Sequence, residues 1–207
     1  MIKFLFQGDS ITDADRRRDN DNNYGYGYPN LVASELMFKY PGEYEFINRG
    51  ISGNRIVDLY ARIKRDIINL KPDLMSILIG VNDVWHETGD NPNGVDNEKF
   101  FKIYDMLISE VKEALPNIKI MILEPFVLQG CSTIEKWDYF STEVPKRGEM
   151  AKKIAEKHGL PFIPLQAGFD ALCKKAPNEY WLGDGVHPTA KGHEYIKNQW
   201  LKAYKAL

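Results

Sequence analysis

The chain has 207 residues, with 27 Lys+Arg against 29 Asp+Glu and a formal net charge of −2. At 43% hydrophobic and 27% charged residues, it is long and apolar enough to bury a core without disulfide or metal staples, which excludes a disordered tail or a disulfide scaffold. The charge balance excludes a nucleic-acid coat and a polybasic membrane patch, and the longest apolar stretch, about Leu74 to Val81, is far below the ~20 residues that cross a bilayer.

The N-terminus turns polar at Gln7, after Met1-Ile2-Lys3-Phe4-Leu5-Phe6, too short a run for a signal-peptide core, so a cytoplasmic protein is expected. Ile2–Gln7 predicts a first strand. Pro29–Tyr40 predicts a helix stopped by Pro41-Gly42, and Tyr44–Asn48 a second strand. From Arg55 to Leu70 the apolar positions Ile56, Leu59, Ile63, Ile67 and Leu70 recur every three to four residues, the spacing of one helix with one buried face. Asp73–Ile79 is almost continuously apolar, as in a strand buried on both faces. Asn97–Leu115 predicts a helix with Phe100, Ile103, Leu107, Val111 and Ala114 on one side and Pro116 as its stop. Ile118–Leu123 predicts a fourth strand, Glu143–His158 a helix closed by Gly159, Leu160–Pro164 a short fifth strand, and Pro188–Tyr204 a terminal helix. No repeat or linker divides the chain, so one domain spanning residues 1–207 is expected. Cys131 and Cys173 fit no metal spacing and read as two thiols of open redox state.

Strands alternating with helices predict a parallel sheet covered on both faces, with the functional crevice at the carboxyl ends of the strands. Three polar segments fall there: Gly8-Asp9-Ser10-Ile11-Thr12, Arg49-Gly50-Ile51-Ser52-Gly53-Asn54 and Gly80-Val81-Asn82-Asp83. Ser10 sits on a strand-to-helix turn, where a serine is either an N-cap or an exposed nucleophile beside backbone N–H donors; alone, the cap is the commoner role. The pattern is not Gly-x-Ser-x-Gly, so this is not the nucleophile elbow of α/β-hydrolases.

A serine nucleophile needs a base. His158 ends a helix, His193 lies inside one, and His86 has no evident partner. His187 lies in Asp184-Gly185-Val186-His187-Pro188, where Asp184, three residues upstream, is close enough to bond the imidazole and fix its tautomer. The same five residues also suit an ordinary turn before a helix. Gly53 and Asn82 are candidate oxyanion donors through a backbone and a side-chain N–H, although each also fits a plain loop position.

Taken in order, Gly-Asp-Ser-Ile-Thr, Gly-Ile-Ser-Gly-Asn, Gly-Val-Asn-Asp and Asp-x-x-His-Pro resemble the blocks of the GDSL, or SGNH, hydrolase family, from Asp9 to past Pro188. The resemblance implies an α/β fold, a three-layer α/β/α sandwich with a five-stranded parallel sheet of flavodoxin-like type. It also implies a serine esterase with Ser10, Asp184 and His187 as catalytic residues and Ser10, Gly53 and Asn82 as the oxyanion hole, needing no cofactor and no metal. The flanks Asn48–Asn54, Ile79–Trp85, Leu165–Phe169 and His187–His193 are similar to the branch that contains intracellular acetylxylan esterases, which implies removal of acetyl groups from xylose oligomers. Asp9, Trp85, Trp181 and Val186 are then candidate substrate-binding residues, since tryptophan faces stack on sugar rings. The expected partner is a small-molecule ester, with neither nucleic acid nor membrane, and a homo-oligomer follows by analogy with that branch. A general short-chain carboxylesterase, lysophospholipase or thioesterase on the same framework is the alternative enzyme, and a non-catalytic carbohydrate-binding protein the alternative class.

Two other patterns fail. Gly25-Tyr26-Gly27-Tyr28-Pro29-Asn30 has Asn where a dinucleotide fingerprint needs its third Gly. Asp19-Asn20-Asp21-Asn22-Asn23 lacks the glycine and closing glutamate of a calcium loop, having Tyr24 and Asn30 there.

Overall fold

A computed structural model describes residues 1–207. Five strands, β1 (Ile2–Gly8), β2 (Tyr44–Asn48), β3 (Leu74–Leu78), β4 (Lys119–Leu123) and β5 (Phe162–Ile163), form one sheet in the order β2-β1-β3-β4-β5, every pairing parallel. The α/β architecture is as expected. The helices are α1 (Ser10–Asp13), α2 (Tyr28–Lys39), α3 (Ile56–Ala61), α4 (Ile63–Asp66), α5 (Val81–Trp85), α6 (Asn97–Ala114), α7 (Trp137–His158), α8 (Gln166–Leu172), α9 (Asn178–Trp181) and α10 (Ala190–Tyr204).

The two-residue alternation of a strand divides the core between two faces. In β1, Phe4 and Phe6 enter one cluster with Val32 and Leu36 of α2 and Trp200 of α10, while Leu5 enters the other with Leu59 of α3, Phe100, Tyr104 and Leu107 of α6 and Ile154 of α7. β3 and β4 split in the same way: Leu74, Leu78, Met121 and Leu123 face one layer, and Met75, Ile77, Ile120 and Ile122 the other. Helices thus cover both faces of the sheet. None of them is long and apolar enough to cross a membrane.

Two segments differ from the periodicity. The expected helix over 55–70 is broken into α3, α4 and a 3₁₀ turn, Ile68–Leu70. The backbone departs from helical geometry at Ile67 (φ −134°, ψ −70°), and the Asp66 carbonyl accepts Gln7 Nε2 at 2.7 Å. Buried Asp66 also receives Arg62 Nη1 and the Arg65 guanidinium. The amide nitrogen of buried Gln7 in β1 thus finds its acceptor where the helical pattern ends. Conversely, α7 begins six residues before the expected Glu143 and carries Pro145 inside it. Proline there forfeits one helical hydrogen bond, but Phe140, Val144 and Arg147 are buried on that turn and its neighbours. The terminal helix starts at Ala190 with Thr189 as its N-cap, so Pro188 lies just outside it.

β1 leads to β2 on one side and, by way of β3, the chain crosses to the other. This is the switch point where an open parallel sheet leaves a crevice at its carboxyl edge. Ser10, Gly53 and Asn82 follow β1, β2 and β3, so all three belong to that edge.

Candidate active site

Ser10 is the first residue of α1. Asp9 is its N-cap, with Oδ1 accepting Ile11 N–H at 3.0 Å. The cap role left open for Ser10 therefore belongs to its neighbour, and the Ser10 hydroxyl is free for another partner. That partner is His187: Ser10 Oγ lies 2.9 Å from His187 Nε2, joining residues 177 apart in sequence. His187 Nδ1 lies 2.7 Å from Asp184 Oδ2. An ionised carboxylate only accepts, so Nδ1 carries the proton and Nε2 is left to accept from Ser10 Oγ–H.

The Asp184 carboxylate is held on several sides. Its Oδ1 accepts the N–H groups of Val186 (2.9 Å) and His187 (2.8 Å), and Oδ2 also receives Ser132 Oγ–H at 3.2 Å. Burial by itself would raise the Asp184 pKa. The hydrogen bonds from the His187 ring and from the His187 and Val186 backbones outweigh it and hold the carboxyl well below the usual carboxylate range. The bond to Asp184 in turn raises the His187 imidazole above its ordinary value, against the opposing effect of burial.

The loop after β4 clamps this turn. Leu128 N–H donates to Gly185 O (2.8 Å) and Ser132 N–H to Asp184 O (3.0 Å). Thr133, fully buried, fixes the loop by donating to Leu128 O at 2.8 Å and accepting Gly130 N–H at 2.9 Å. A Cβ on Gly130 would lie 2.4 Å from the carbonyl carbon and oxygen of Asp184, so only glycine permits this approach.

At the ends of β2 and β3, Gly53 has a left-handed backbone (φ +82°) and open space where a side chain would stand. Asn82 is nearly buried, and its Nδ2 donates to Asn54 O at 3.2 Å, which ties the β3 edge to the Gly53–Asn54 turn and leaves the second amide hydrogen unassigned. Asp83, fully buried, accepts Ile56 N–H at 3.0 Å and so fixes the start of α3 against α5; burial pushes its carboxyl up to about 7.

The remaining sequence candidates separate clearly. The Trp85 ring stands 6.1 Å from the His187 ring and edge-on to Phe140. Trp181 lines a groove apart from the recess around Ser10. Val186 and Asp9 are each only 1% exposed. The Val186 side chain lies in the core, so its contribution to the site is its N–H. Asp9 has one carboxylate oxygen buried without a partner, and burial pushes it up to about 7. Of the other histidines, His193 is buried, accepts Tyr28 N–H on Nδ1 at 3.1 Å and is pushed down to about 4 by burial. His158 pairs with Asp105 at 2.8 Å. Both are structural. No group of three or more metal-ligating side chains occurs, and both cysteines are free thiols.

Sequence reasoning missed Ser132, Thr133 and Asn48. Asn48 Nδ2 donates to Thr12 O (2.7 Å) and Tyr24 O (2.9 Å) while its Oδ1 accepts Gly50 N–H, which locks α1 to the loops behind it. Its place at the end of β2 was a usable signal; Ser132 and Thr133 sit in an aperiodic loop that offered none.

Residues 6–195 match the model of the GDSL-like lipase/acylhydrolase family. An acetylxylan esterase of Geobacillus stearothermophilus is 34% identical over 207 residues, covering 97% of this chain and 92% of that protein. Among solved structures, a GDSL-like lipase of Parabacteroides merdae superposes with TM-score 0.92 at 37% identity, covering 98% of this chain and 94% of the other. The crystal structure of Axe2, an acetylxylan esterase from Geobacillus stearothermophilus, superposes with TM-score 0.85 at 33% identity, covering 98% and 93%.

Proposed function

The chain belongs to the GDSL-like lipase/acylhydrolase family and is an ester-hydrolysing enzyme, and from that premise we propose that it removes short acyl groups, acetyl above all, from xylo-oligosaccharides or related sugars through an acyl-enzyme on Ser10. The observation that carries the mechanism is the continuous line from Ser10 Oγ to His187 Nε2 at 2.9 Å and from His187 Nδ1 to Asp184 Oδ2 at 2.7 Å.

In this reading Ser10 Oγ attacks the ester carbonyl while its proton passes to His187 Nε2. Asp184 keeps the imidazole in the accepting tautomer and stabilises the imidazolium that forms. The negative charge on the former carbonyl oxygen is met by the Ser10 and Gly53 N–H groups and the second Asn82 amide hydrogen, donors already fixed by α1, the left-handed turn and the Asn54 carbonyl. The imidazolium then returns its proton to the departing alcohol. Water, activated by the same imidazole, releases the acid and restores Ser10.

The acyl and alcohol portions rest on the acetylxylan esterase relative. The recess of about 280 Å3 walled by Ser10, Ile11, Ala14, Ser52, His187 and neighbours has room for an acetyl group and does not itself select one. One experiment tests the reading: acetate release from acetylated xylo-oligosaccharides, with Ser10→Ala as the blank and p-nitrophenyl esters of increasing chain length alongside. Ser10-dependent release, with activity falling steeply beyond acetyl, is the expected result. Turnover of long acyl esters with little release from the sugars would transfer the same mechanism to a general carboxylesterase.

A further inference from the structure

The recess at Ser10 has a neighbour. Tyr26, one of its walls, also lines a groove of about 680 Å3 formed with Tyr180, Trp181, Glu194, Tyr195 and Asn198. The two cavities share the stretch of chain after His187: Pro188 faces the recess, while Ala190 and Lys191 face the groove. Tyr26 is largely exposed yet anchored at both ends, with its N–H on Ala14 O at 3.0 Å and its hydroxyl on Asp15. It stands between the cavities as a fixed partition.

We propose that this groove between α9 and α10 holds the neutral sugar chain that bears the scissile ester, on the alcohol side of Ser10. The inference rests on the reading of the site given above, and three observations favour it. The first is direction. The leaving alcohol must receive its proton from His187 Nε2, so it sits on the His187 side of the acyl carbon. The groove is built from the chain flanking His187, residues 180–198, with Tyr26, Leu31 and Leu172, and takes nothing from the Gly53 and Asn82 edges.

The second is surface chemistry. Tyr180 and Trp181 meet edge to face with ring centroids 4.9 Å apart, and Tyr195 adds a third ring. Tyr180 is exposed and presents a ring with a wet hydroxyl, which suits a sugar ring's C–H face edged by hydroxyls, while Trp181, its Nε1 buried, and Tyr195, its hydroxyl on Leu165 O at 3.3 Å, add apolar ring surface. A site for an alkyl chain has no use for an ammonium, a carboxylate and a carboxamide in its wall, yet Lys191, Glu194 and Asn198 are all there.

The third is charge. Lys191 and Glu194 are the only ionic residues lining the groove and they balance. Lys191 Nζ lies 4.8 Å from the Tyr180 ring centroid, and Glu194 is paired with Lys197 Nζ at 2.7 Å. A groove with no net charge fits a neutral oligosaccharide and not an acidic or cationic ligand.

Tyr180→Ala removes one platform, and Asn198→Trp fills the far end. Both positions are exposed, so folding is not at stake. The measurement is kcat/KM on acetylated xylotetraose divided by kcat/KM on p-nitrophenyl acetate, with p-nitrophenyl octanoate as a third substrate and size-exclusion elution as a fourth readout. Losing one stacking ring should lower the oligosaccharide ratio about 10-fold, the equivalent of one order in affinity, and Asn198→Trp should lower it at least as far. An unmoved ratio in both variants overturns the proposal. A selective loss on the octanoate overturns it in favour of an acyl-chain site, and a changed elution volume with an unmoved ratio overturns it in favour of a contact between copies. Wild-type enzyme that leaves acetylated xylotetraose intact overturns the substrate reading together with the groove, whereas wild-type activity with unmoved variants overturns the groove alone.

Discussion

The Ser132 hydroxyl donates at 3.2 Å to Asp184 Oδ2, the same oxygen that receives His187 Nδ1–H at 2.7 Å. Ser132 also donates its backbone N–H to the Asp184 carbonyl, and Leu128 N–H secures Gly185. The carboxylate of the proposed triad is thus aimed by a loop after β4, about 50 residues before it in sequence. A carboxylate with three donors besides the histidine ring has little freedom to swing away, and such fixed geometry is where much of the rate advantage of a triad resides.

Gly130→Ala tests that clamp. The added methyl meets the Asp184 backbone at 2.4 Å, so the loop or the Asp184 turn must shift. Loss of about 1 Å of alignment costs on the order of 10²-fold in rate, and kcat should fall by that order with KM little changed. Ser132→Ala is milder. With one donor fewer on Oδ2, the His187 bond tightens, the imidazolium is favoured and the acid limb of the kcat/KM profile moves to higher pH. A profile that stays in place would deny Ser132 any electrostatic role.

Ser10→Ala should leave thermal stability almost unaltered, because the half-buried Ser10 hydroxyl has a single hydrogen-bond partner, His187 Nε2. Hydrolysis should drop to below ~10⁻⁴ of wild type, since removing a nucleophile leaves only binding and the oxyanion donors. The two readouts are a melting curve and acetate release. Substantial turnover by the variant would remove Ser10 from the mechanism.

Asp184→Asn tests the other end of the line. An amide cannot hold His187 Nδ1–H as an acceptor in the same way, and the wrong tautomer costs about 10⁴-fold in kcat. The sign of the accompanying pH change is fixed by the cause: Asp184 raises the His187 pKa, so its loss lets the residual activity extend to lower pH. A pH–rate profile of the variant against wild type measures both effects.

Much of this was readable in the chain. β2 runs from Tyr44 to Asn48 as expected, and the polar blocks after β1, β2 and β3 fall where an α/β sheet puts its crevice. The pairing of Asp184 with His187 was readable too, because three residues of a turn bring a carboxylate beside an imidazole. What the sequence hid are contacts made between distant segments by residues without periodic signature. Gln7 meets the Asp66 carbonyl, 59 residues away, beside the break at Ile67. Ser132 reaches Asp184 from an irregular loop. Val186 is a cleft candidate in the sequence, but only its N–H bonds the site, to Asp184 Oδ1, while its side chain packs in the core.

Asn82→Ala should slow hydrolysis by about 10² to 10³-fold through kcat, the usual cost of one oxyanion donor. The lost bond to Asn54 O should also loosen the Gly53–Asn54 turn, so the effect belongs at the upper end of that range. Asn82→Asp keeps the size of the side chain but replaces both donors with acceptors, one set against Asn54 O and one at the place where negative charge develops, so it should cost at least as much as Asn82→Ala. Kinetics with p-nitrophenyl acetate decide the matter, and a variant within threefold of wild type would exclude Asn82 from the oxyanion hole.

Asp83 offers a prediction on stability instead of rate. Its carboxyl is fully buried and burial pushes it up to about 7, above the ~3.9 of an unfolded aspartate. Between those values the folded state holds a proton that the unfolded state has released, so stability falls as pH rises, by up to about 1.4 kcal/mol per pH unit for one group. Asp9 shifts in the same direction for the same reason. Asp184 has the opposite sign, being held below the usual range: its contribution is present above the unfolded pKa and is lost only in more acid solution. His193, pushed down to about 4 by burial, also has the opposite sign and offsets part of the fall below about pH 6.5, but one histidine against two carboxyls leaves a net decline of the wild-type melting temperature from pH 5 to 8. Asp83→Asn keeps an oxygen to accept Ile56 N–H yet has no proton to lose, so its decline should be markedly shallower, with the part due to Asp9 remaining. Urea unfolding at pH 5 and pH 8 measures the difference, and parallel slopes in variant and wild type would mean that Asp83 stays charged throughout.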